Sequence, residues 1–286
     1  SDDVCIMRNG KNVYGGPTAE LTPQKFTYYM TGRELTEDRF VPKNISKEPV
    51  LQVENLTLKN KFQNVSFSLR KGEILGITGL LGSGRTELAL SLFGLEHPQS
   101  GSIRLNGTEV KIKSPIQAQK LKIGYVPEDR LTEGLCLQQP IADNITLSSL
   151  KRLSAALGFL KYQNVLDDAN IWKEKFSIKT DDVKKYASTL SGGNQQKIVL
   201  SKWLSNDLDV LILNGPTVGV DVGAKQDIHA LVHELANEGL AVIIISDDLS
   251  EVVVNCNRVL VMKEGSIVGE MSGDNITEAG ILDIIR

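Results

Sequence analysis

From Val50 onward the apolar positions change their period from stretch to stretch, and each change marks an element. Leu51-Gln52-Val53 to Leu58 and Val65 to Leu69 alternate with polar residues, which predicts antiparallel strands with one face half exposed. Ile74-Leu75-Gly76-Ile77-Thr78 is instead a more continuous run, the pattern of a buried strand, and Val210-Leu211-Ile212-Leu213 and Leu240 to Ile245 are further apolar runs of strand length. Between roughly Leu131 and Thr189, Leu147, Leu150, Leu153, Leu157 and Leu160, then Ile171, Trp172 and Phe176, fall at helical spacings and predict a helical subdomain, residues 131–189. Strands, a glycine-rich loop and then an alternation of strand and helix predict an α/β fold.

The start of the chain resembles its end. Val4-Cys5-Ile6-Met7-Arg8-Asn9-Gly10 lies on Val259-Leu260-Val261-Met262-Lys263-Glu264-Gly265, and in the same alignment Val13 and Thr22 lie on Val268 and Thr277. Both copies read as strand, glycine turn, short strand and terminal helix, so the match predicts an internal repeat. Residues 1–35 are then expected to be the tail of a preceding domain. Residues 36–49, charged and carrying Pro42 and Pro49, are the expected linker, and residues 50–286 the second unit of a tandem.

Composition narrows the classes of function. With 286 residues, 41% of them hydrophobic, the chain is long enough for one large α/β domain and an appendage. A formal charge of -3 and the lack of a Lys/Arg block argue against nucleic-acid binding. Cys5, Cys136 and Cys256 show no C-x-x-C spacing, so neither a disulfide framework nor a zinc site is expected, and a reducing compartment fits. Leu240 to Ile245 is too short to cross a bilayer and no charged-then-apolar leader is seen, so the expectation is a soluble chain whose membrane role needs a partner.

Gly79-Leu80-Leu81-Gly82-Ser83-Gly84-Arg85-Thr86 has the arrangement G-x-x-x-x-G-basic-Ser/Thr directly after a buried strand. Glycines there let the backbone curl until successive N–H groups and the next helix N-terminus face a phosphate, while Thr86 can reach a magnesium ion. A glycine-rich turn is the plainer alternative, and the strand-loop-helix setting favours the phosphate loop. Arg85 stands where Lys is usual. Its guanidinium can fork onto phosphate oxygens but cannot place a compact ammonium between two phosphates, so binding should survive better than catalysis. Farther on, Leu190-Ser191-Gly192-Gly193-Asn194-Gln195-Gln196-Lys197 reads as a helix N-terminus, with Ser191 as N-cap before the amphipathic run Ile198, Val199, Leu200, Trp203 and Leu204.

Together these segments resemble an ABC-transporter nucleotide-binding domain, with a Walker A loop, a signature loop and a Walker B strand in the family's order. Tyr125-Val126-Pro127-Glu128-Asp129-Arg130 followed by Glu133-Gly134-Leu135, the Leu190–Lys197 octapeptide, and Gly219-Val220-Asp221-Val222-Gly223-Ala224-Lys225 resemble the subgroup that energises ribose, xylose, arabinose, galactose and nucleoside importers. The resemblance covers nearly the whole chain. It implies a P-loop NTPase core with a mixed central sheet, an antiparallel β subdomain and a helical subdomain, and it implies ATP and Mg²⁺ as cofactors. The nucleotide-binding residues it implies are Gly79, Gly82, Ser83, Gly84, Arg85, Thr86 (also toward Mg²⁺), Glu87, Glu128 and Phe62. The signature it implies runs through Leu190, Ser191, Gly192, Gly193, Asn194 and Gln195, with Asn214 and Asp221 in the Walker B strand and D-loop. Implied partners are an N-terminal ABC domain on the same polypeptide, transmembrane permease subunits cradled by the helical subdomain and, indirectly, a periplasmic or lipid-anchored substrate-binding protein. That places the protein at the cytoplasmic face of the cell membrane.

Several positions depart from the family pattern. Asn214 replaces the Walker B Asp, losing a carboxylate that Mg²⁺ favours, and Gly215 replaces the Glu that polarises water, a change that costs about 10²–10⁴ in rate where a general base is lost. Asp247 occupies the switch position, where many members carry His, and Glu128 the Q-loop position, where Gln is usual. Both are anionic replacements beside a phosphate; the resemblance implies that the arginine, the glutamate and the missing histidine are common in the subgroup's second domain, whereas the loss of both carboxylates at Asn214 and Gly215 is not. Phe62 lies near the position of an adenine-stacking aromatic, yet it could equally be core. His229 and His233, one helical turn apart, read as a solvated helix face rather than a metal site.

The expectation is an asymmetric pair of sites, in which this chain's signature loop serves a neighbour's nucleotide and its own Walker site binds nucleotide but turns over slowly or not at all. Hydrolysis is then a property of the full transporter. A non-hydrolysing regulatory or scaffolding domain is the alternative. A soluble ABC protein of translation or DNA repair is a third class, opposed by the lack of zinc-type Cys pairs and basic arms.

Overall fold

The computed structural model describes residues 1–8, 10–32, 39–155 and 158–286; Asn9 of the repeat, Leu157 of the helical series and the expected boundary at Thr36 lie outside them. The chain opens with a hairpin, β1 (Asp3–Arg8) and β2 (Lys11–Pro17), and a helix, α1 (Pro23–Thr31). There follow β3 (Pro49–Leu58), β4 (Phe62–Arg70), β5 (Ile74–Gly79), α2 (Arg85–Phe93), β6 (Ser100–Leu105), β7 (Thr108–Val110), α3 (Pro115–Lys120) and β8 (Ile123–Val126). The helical part carries α4 (Ile141–Thr146), α5 (Leu150–Leu153), α6 (Tyr162–Lys175) and α7 (Gly192–Leu204). The chain closes with β9 (Val210–Asn214), α8 (Val222–Asn237), β10 (Ala241–Ile245), α9 (Leu249–Asn255), β11 (Arg258–Lys263), β12 (Ser266–Ser272) and α10 (Glu278–Ile285).

The central sheet has the order β12-β11-β5-β10-β9-β8; β11, β5, β10, β9 and β8 run parallel and β12 pairs antiparallel at the edge. Every residue of β5, β8, β9 and β10 is buried, because both faces are covered. Along β10 the side chains alternate between two cores: Ile243 and Ile245 join Leu88 and Leu92 of α2, whereas Val242 and Ile244 join Ile198 and Leu200 of α7. A separate antiparallel sheet, β4-β3-β6-β7, closes over the first core. In the helical part, buried Asn144 accepts from the amide of Cys136 (2.8 Å) and donates to the carbonyls of Cys136 and Pro140 (both 3.0 Å), which fixes α4 beneath its entry loop. Leu147, Leu150, Leu160 and Ile171 of the helical series are exposed.

The two ends of the chain fold alike. In β1–β2 the register shifts between Ile6 and Met7, and in β11–β12 it shifts between Val261 and Met262, the same place when Val4 is laid on Val259. Thr22 accepts a hydrogen bond from the amide of Lys25 at the start of α1, as Thr277 does from Gly280 at the start of α10. The surroundings differ. β11 adds to β5, whereas among the described residues β1 pairs with β2 alone, so Met7 is 67% exposed and Met262 is fully buried. Phe40 and Lys43 are stitched to the main body: the amide of Phe40 donates to Val254 O (2.9 Å) and that of Lys43 to Asn237 Oδ1 (3.0 Å).

Candidate functional site

The parallel strands β5, β10, β9 and β8 end along one edge of the sheet, and each end delivers one group to it. From β5 the chain turns through Gly79 to Gly84 into α2, so the free amides of the first helical turn face outward from the strand end. Gly84 has φ 92°, and a Cβ there would lie 2.6 Å from Lys61 O; the loop passes so close to β4 that only glycine fits. The turn of the last hairpin braces the loop, with the amide of Gly265 donating to Ser83 O (3.1 Å). Ser83 is 3% exposed, and its hydroxyl has no partner among the described residues.

Arg85 is turned inward. It is buried, its Nη1 donates to Gly79 O, and its Nη2 lies 3.4 Å from a carboxylate oxygen of Asp247 just beyond β10. The guanidinium expected to fork onto phosphate oxygens thus has two partners within the protein. Thr86 is half-buried on the first turn of α2. Glu87, expected at the nucleotide, accepts from Lys61 Nζ (2.8 Å); partial burial is the largest single effect and pulls its carboxyl upward, but the bond from Lys61, a backbone hydrogen bond and the Lys61 charge together exceed it and leave it below the usual carboxylate range. Phe62 is 2% exposed and packs in the core beneath the β subdomain, so of its two readings the structure supports the core one and leaves no face for an adenine ring.

At the end of β9, Asn214 is buried with its Nδ2 3.4 Å from the hydroxyl of Tyr125. Burial pushes the Tyr125 phenol up to about 12, against the opposing effect of that hydrogen bond. Gly215 follows with φ 58°, and Glu128, two residues beyond β8, stands against it: a Cβ on Gly215 would lie 3.0 Å from Glu128 Cγ and 2.9 Å from Val218 Cγ2. The strand end thus offers no carboxylate of its own, and an exposed one reaches in from the neighbouring strand. The residues present suit a phosphate group, as the orphaned Ser83 hydroxyl and the loop amides indicate, better than a magnesium ion. For the ion they offer the Thr86 hydroxyl and a neutral Asn214.

The signature segment lies elsewhere. Ser191 precedes α7 as expected, but its oxygen accepts from the Nδ2 of Asn194 (2.9 Å) rather than from a backbone amide, and Asn194 Oδ1 accepts from the amide of Lys179 (2.9 Å). Ser191, Gly193, Asn194 and Asp221 line a cavity of about 340 Å³ that Arg8 and Met30 of the N-terminal hairpin unit also border. None of the Walker residues lines it. Leu190 is half-buried, and Gln195 is buried with its amide on Ala187 O (3.3 Å), so neither presents its side chain to that cavity. Asp221 caps α8, accepting from the amide of Ala224 (2.9 Å).

Two arrangements were missed in the sequence. Arg130 donates to the carbonyls of Val218 (2.7 Å) and Gly219 (3.0 Å) and lies over Gly192, so it ties the loop after β9 to the signature. The Pro-Glu-Asp-Arg block was its only signal. His229 and His233 do not form a solvated face: His229 Nε2 lies 2.9 Å from buried Glu251, which also accepts from the Thr217 hydroxyl (2.8 Å), and His233 stacks on Phe40 with ring centroids 4.1 Å apart. Burial lowers the His233 pKa, against the hydrogen bond with Asn255.

A family model described as ABC transporter matches residues 62–218, which span the loop, the signature and the β9 strand end just described. The chain belongs to the ABC transporter family. A ribose import ATP-binding protein of Rhizobium etli is 42% identical over 283 residues, covering 99% of this chain and 55% of its own length. Another, of Caldanaerobacter subterraneus subsp. tengcongensis, is 40% identical over 281 residues, covering 98% and 57%. The chain thus spans about half the length of the curated relatives it matches. Among solved structures, a nucleotide-free ATP-binding cassette from an ABC transporter matches with TM-score 0.70 at 21% identity, covering 83% of this chain and 95% of that one. A dimeric cassette in a post-hydrolysis state bound to ADP and Pi matches with TM-score 0.67 at 20% identity, covering 78% and 98%. These likenesses establish the ABC cassette fold, with its mixed sheet, antiparallel β subdomain and helical subdomain. Among the described residues, no helix is long and apolar enough to cross a membrane.

Proposed function

We propose that this ABC chain is the second nucleotide-binding unit of a tandem ATP-binding protein that energises import of a monosaccharide or nucleoside. Residues 1–35 would be the tail of the first unit and residues 36–49 the linker. The shared register shift and threonine cap of the two terminal hairpin units support this division, as does the roughly double length of the ribose import relatives. The permease subunits would dock on the helical part, where Leu147, Leu150 and Ile171 are exposed, and hold the protein at the cytoplasmic face of the membrane. A binding protein would deliver the cargo to them.

The observation that carries the reading is the contrast between two half-sites on one chain. Ser191, Gly193 and Asn194 line an open cavity at a helix N-terminus, suited to the terminal phosphate of an ATP held by the first unit. The chain's own strand end offers Asn214 and Gly215 where a metal ligand and a general base are needed, and Arg85 is engaged by Asp247. ATP would be split at the first composite site, with closure and reopening of the two units driving transport, while this chain's own site binds nucleotide with little or no turnover. A non-hydrolysing regulatory or scaffolding role is the second reading, and the filling of the Gly215 position by Glu128 favours it for this half taken alone.

The test uses the full-length tandem protein with its permease. Ser191→Arg should abolish ATP turnover, whereas Arg85→Ala should lower it only in part. Equal losses would remove the division of labour.

A further inference from the structure

We propose that the Gly79–Thr86 loop takes a nucleoside diphosphate in preference to the triphosphate, because Asp247 holds the Arg85 end of the site where a third phosphate would lie. The proposal rests on the nucleotide-binding reading of this loop and goes further by naming the ligand class that the loop selects.

In a loop of this type the basic residue serves the phosphates farthest from the nucleoside, while the backbone amides cradle those nearer to it. Here the two parts are in different conditions. The cradle is intact: α2 starts at Arg85 with its first-turn amides facing the loop, and the Ser83 hydroxyl is buried without a partner among the described residues. The far end is occupied by the protein's own anion, since the buried Arg85 guanidinium already serves Gly79 O and the Asp247 carboxylate at 3.4 Å.

The sheet explains why Asp247 sits there. β10 runs parallel beside β5 in the register Ile245↔Ile77, so the chain leaves β10 next to the mouth of the loop. One strand farther, β9 ends in the uncharged pair Asn214-Gly215, and one strand beyond that β8 leads to Glu128, whose exposed side chain crosses to Gly215. The far end therefore holds the Asp247 carboxylate on the Arg85 guanidinium, and the β9 strand end beside it brings no carboxylate of its own to keep a magnesium ion that could offset an added charge. A third phosphate would have to break the Arg85–Asp247 pair and then lie against the displaced carboxylate. A diphosphate seated in the cradle leaves the pair in place.

Calorimetric titration of the chain with ADP and with ATP, each with and without Mg²⁺, tests this. ADP should bind about tenfold more tightly or better, a difference of about 1.4 kcal/mol, and Mg²⁺ should change the gap little. Asp247→Asn keeps the size and a hydrogen-bonding oxygen but removes the charge, and it should narrow the gap by at least about threefold. Asp247→Ser is the second variant, and a thermal melt establishes that each is folded. ATP binding as tight as ADP, or a gap unchanged in both variants, overturns the preference while leaving the loop a nucleotide site. Failure of both nucleotides to bind at millimolar concentration removes the nucleotide reading itself, and the preference with it.

Discussion

Glu128 and Gly215 share one volume: the Glu128 Cγ lies 3.0 Å from where a Cβ on Gly215 would be, and Gly215 holds φ 58°. The missing side chain at the end of β9 is thus matched by a side chain from the neighbouring strand. The glycine is part of a packed arrangement, and restoring a glutamate there is not a simple reversal.

Gly215→Glu should accordingly destabilise the chain. A left-handed backbone at a non-glycine residue and a crowded Cβ together cost about 2–4 kcal/mol, or roughly 5–10 °C in melting temperature. Asn214→Asp with Gly215→Glu should restore turnover poorly even with a partner signature present, and adding Glu128→Ala should recover part of the stability. Calorimetric melts of the three variants check this order, and an undiminished melting temperature for Gly215→Glu would contradict it.

Arg130 carries the second prediction. Its guanidinium bridges the Val218 and Gly219 carbonyls at 2.7 and 3.0 Å while covering Gly192, so it couples the β9 loop to the start of α7. Arg130→Ala should cost about 1–2 kcal/mol in urea unfolding, since both carbonyls are on the surface and water replaces part of the loss. Arg130→Lys should recover less than half, because a compact ammonium does not reach both oxygens in one plane. Full recovery by lysine would show that charge alone matters there.

What could be read in advance follows from the range of the interactions. The apolar runs of β5, β9 and β10 are periodic and local, and so is the glycine spacing of the phosphate loop, and each appears where its pattern implies. The terminal repeat was visible because its Val-x-x-Met-basic-x-Gly spacing and the aligned Val and Thr are local, and Thr22 and Thr277 cap helices within three residues of themselves. Asp247 on Arg85, Glu128 against Gly215 and Glu251 beneath His229 join residues from different strand ends and helices, and no period along the chain encodes them. Phe62 shows the limit most plainly: an aromatic at a strand start suits stacking or core equally, and only the close passage of β4 beneath Gly84 and Gly265 decides for the core.

Glu251 is expected to matter for stability through the Walker B loop. Its buried carboxylate accepts from the Thr217 hydroxyl at 2.8 Å and lies 2.9 Å from His229 Nε2, with Thr217 itself buried. Glu251→Leu would leave the Thr217 hydroxyl unmatched in a dry site, at a cost of about 1–3 kcal/mol. Glu251→Gln keeps an acceptor oxygen and should cost less than half as much. Equal losses in chemical unfolding would show that the charge, rather than the acceptor, holds the loop.

Lys202 gives a pH-dependent prediction whose sign is fixed. It is 8% exposed, donates to Gly134 O at 2.7 Å, and burial lowers its pKa from 10.5 to about 8, with the field of Cys136 opposing weakly. Between those two values the unfolded chain binds more protons than the folded one, so this group's contribution to stability rises with pH across that window. Below pH 8 the full penalty of burying the ammonium is present, on the order of 3 kcal/mol. Lys202→Met removes that penalty and loses one hydrogen bond worth about 1 kcal/mol, so it should stabilise the chain by about 1–2 kcal/mol at pH 7. Because wild type regains stability toward pH 10 while the variant does not, the gap between them should close and then reverse. Urea unfolding of both proteins at pH 7 and at higher pH measures this directly, and parallel pH profiles would mean that the buried ammonium is solvated well enough to titrate normally.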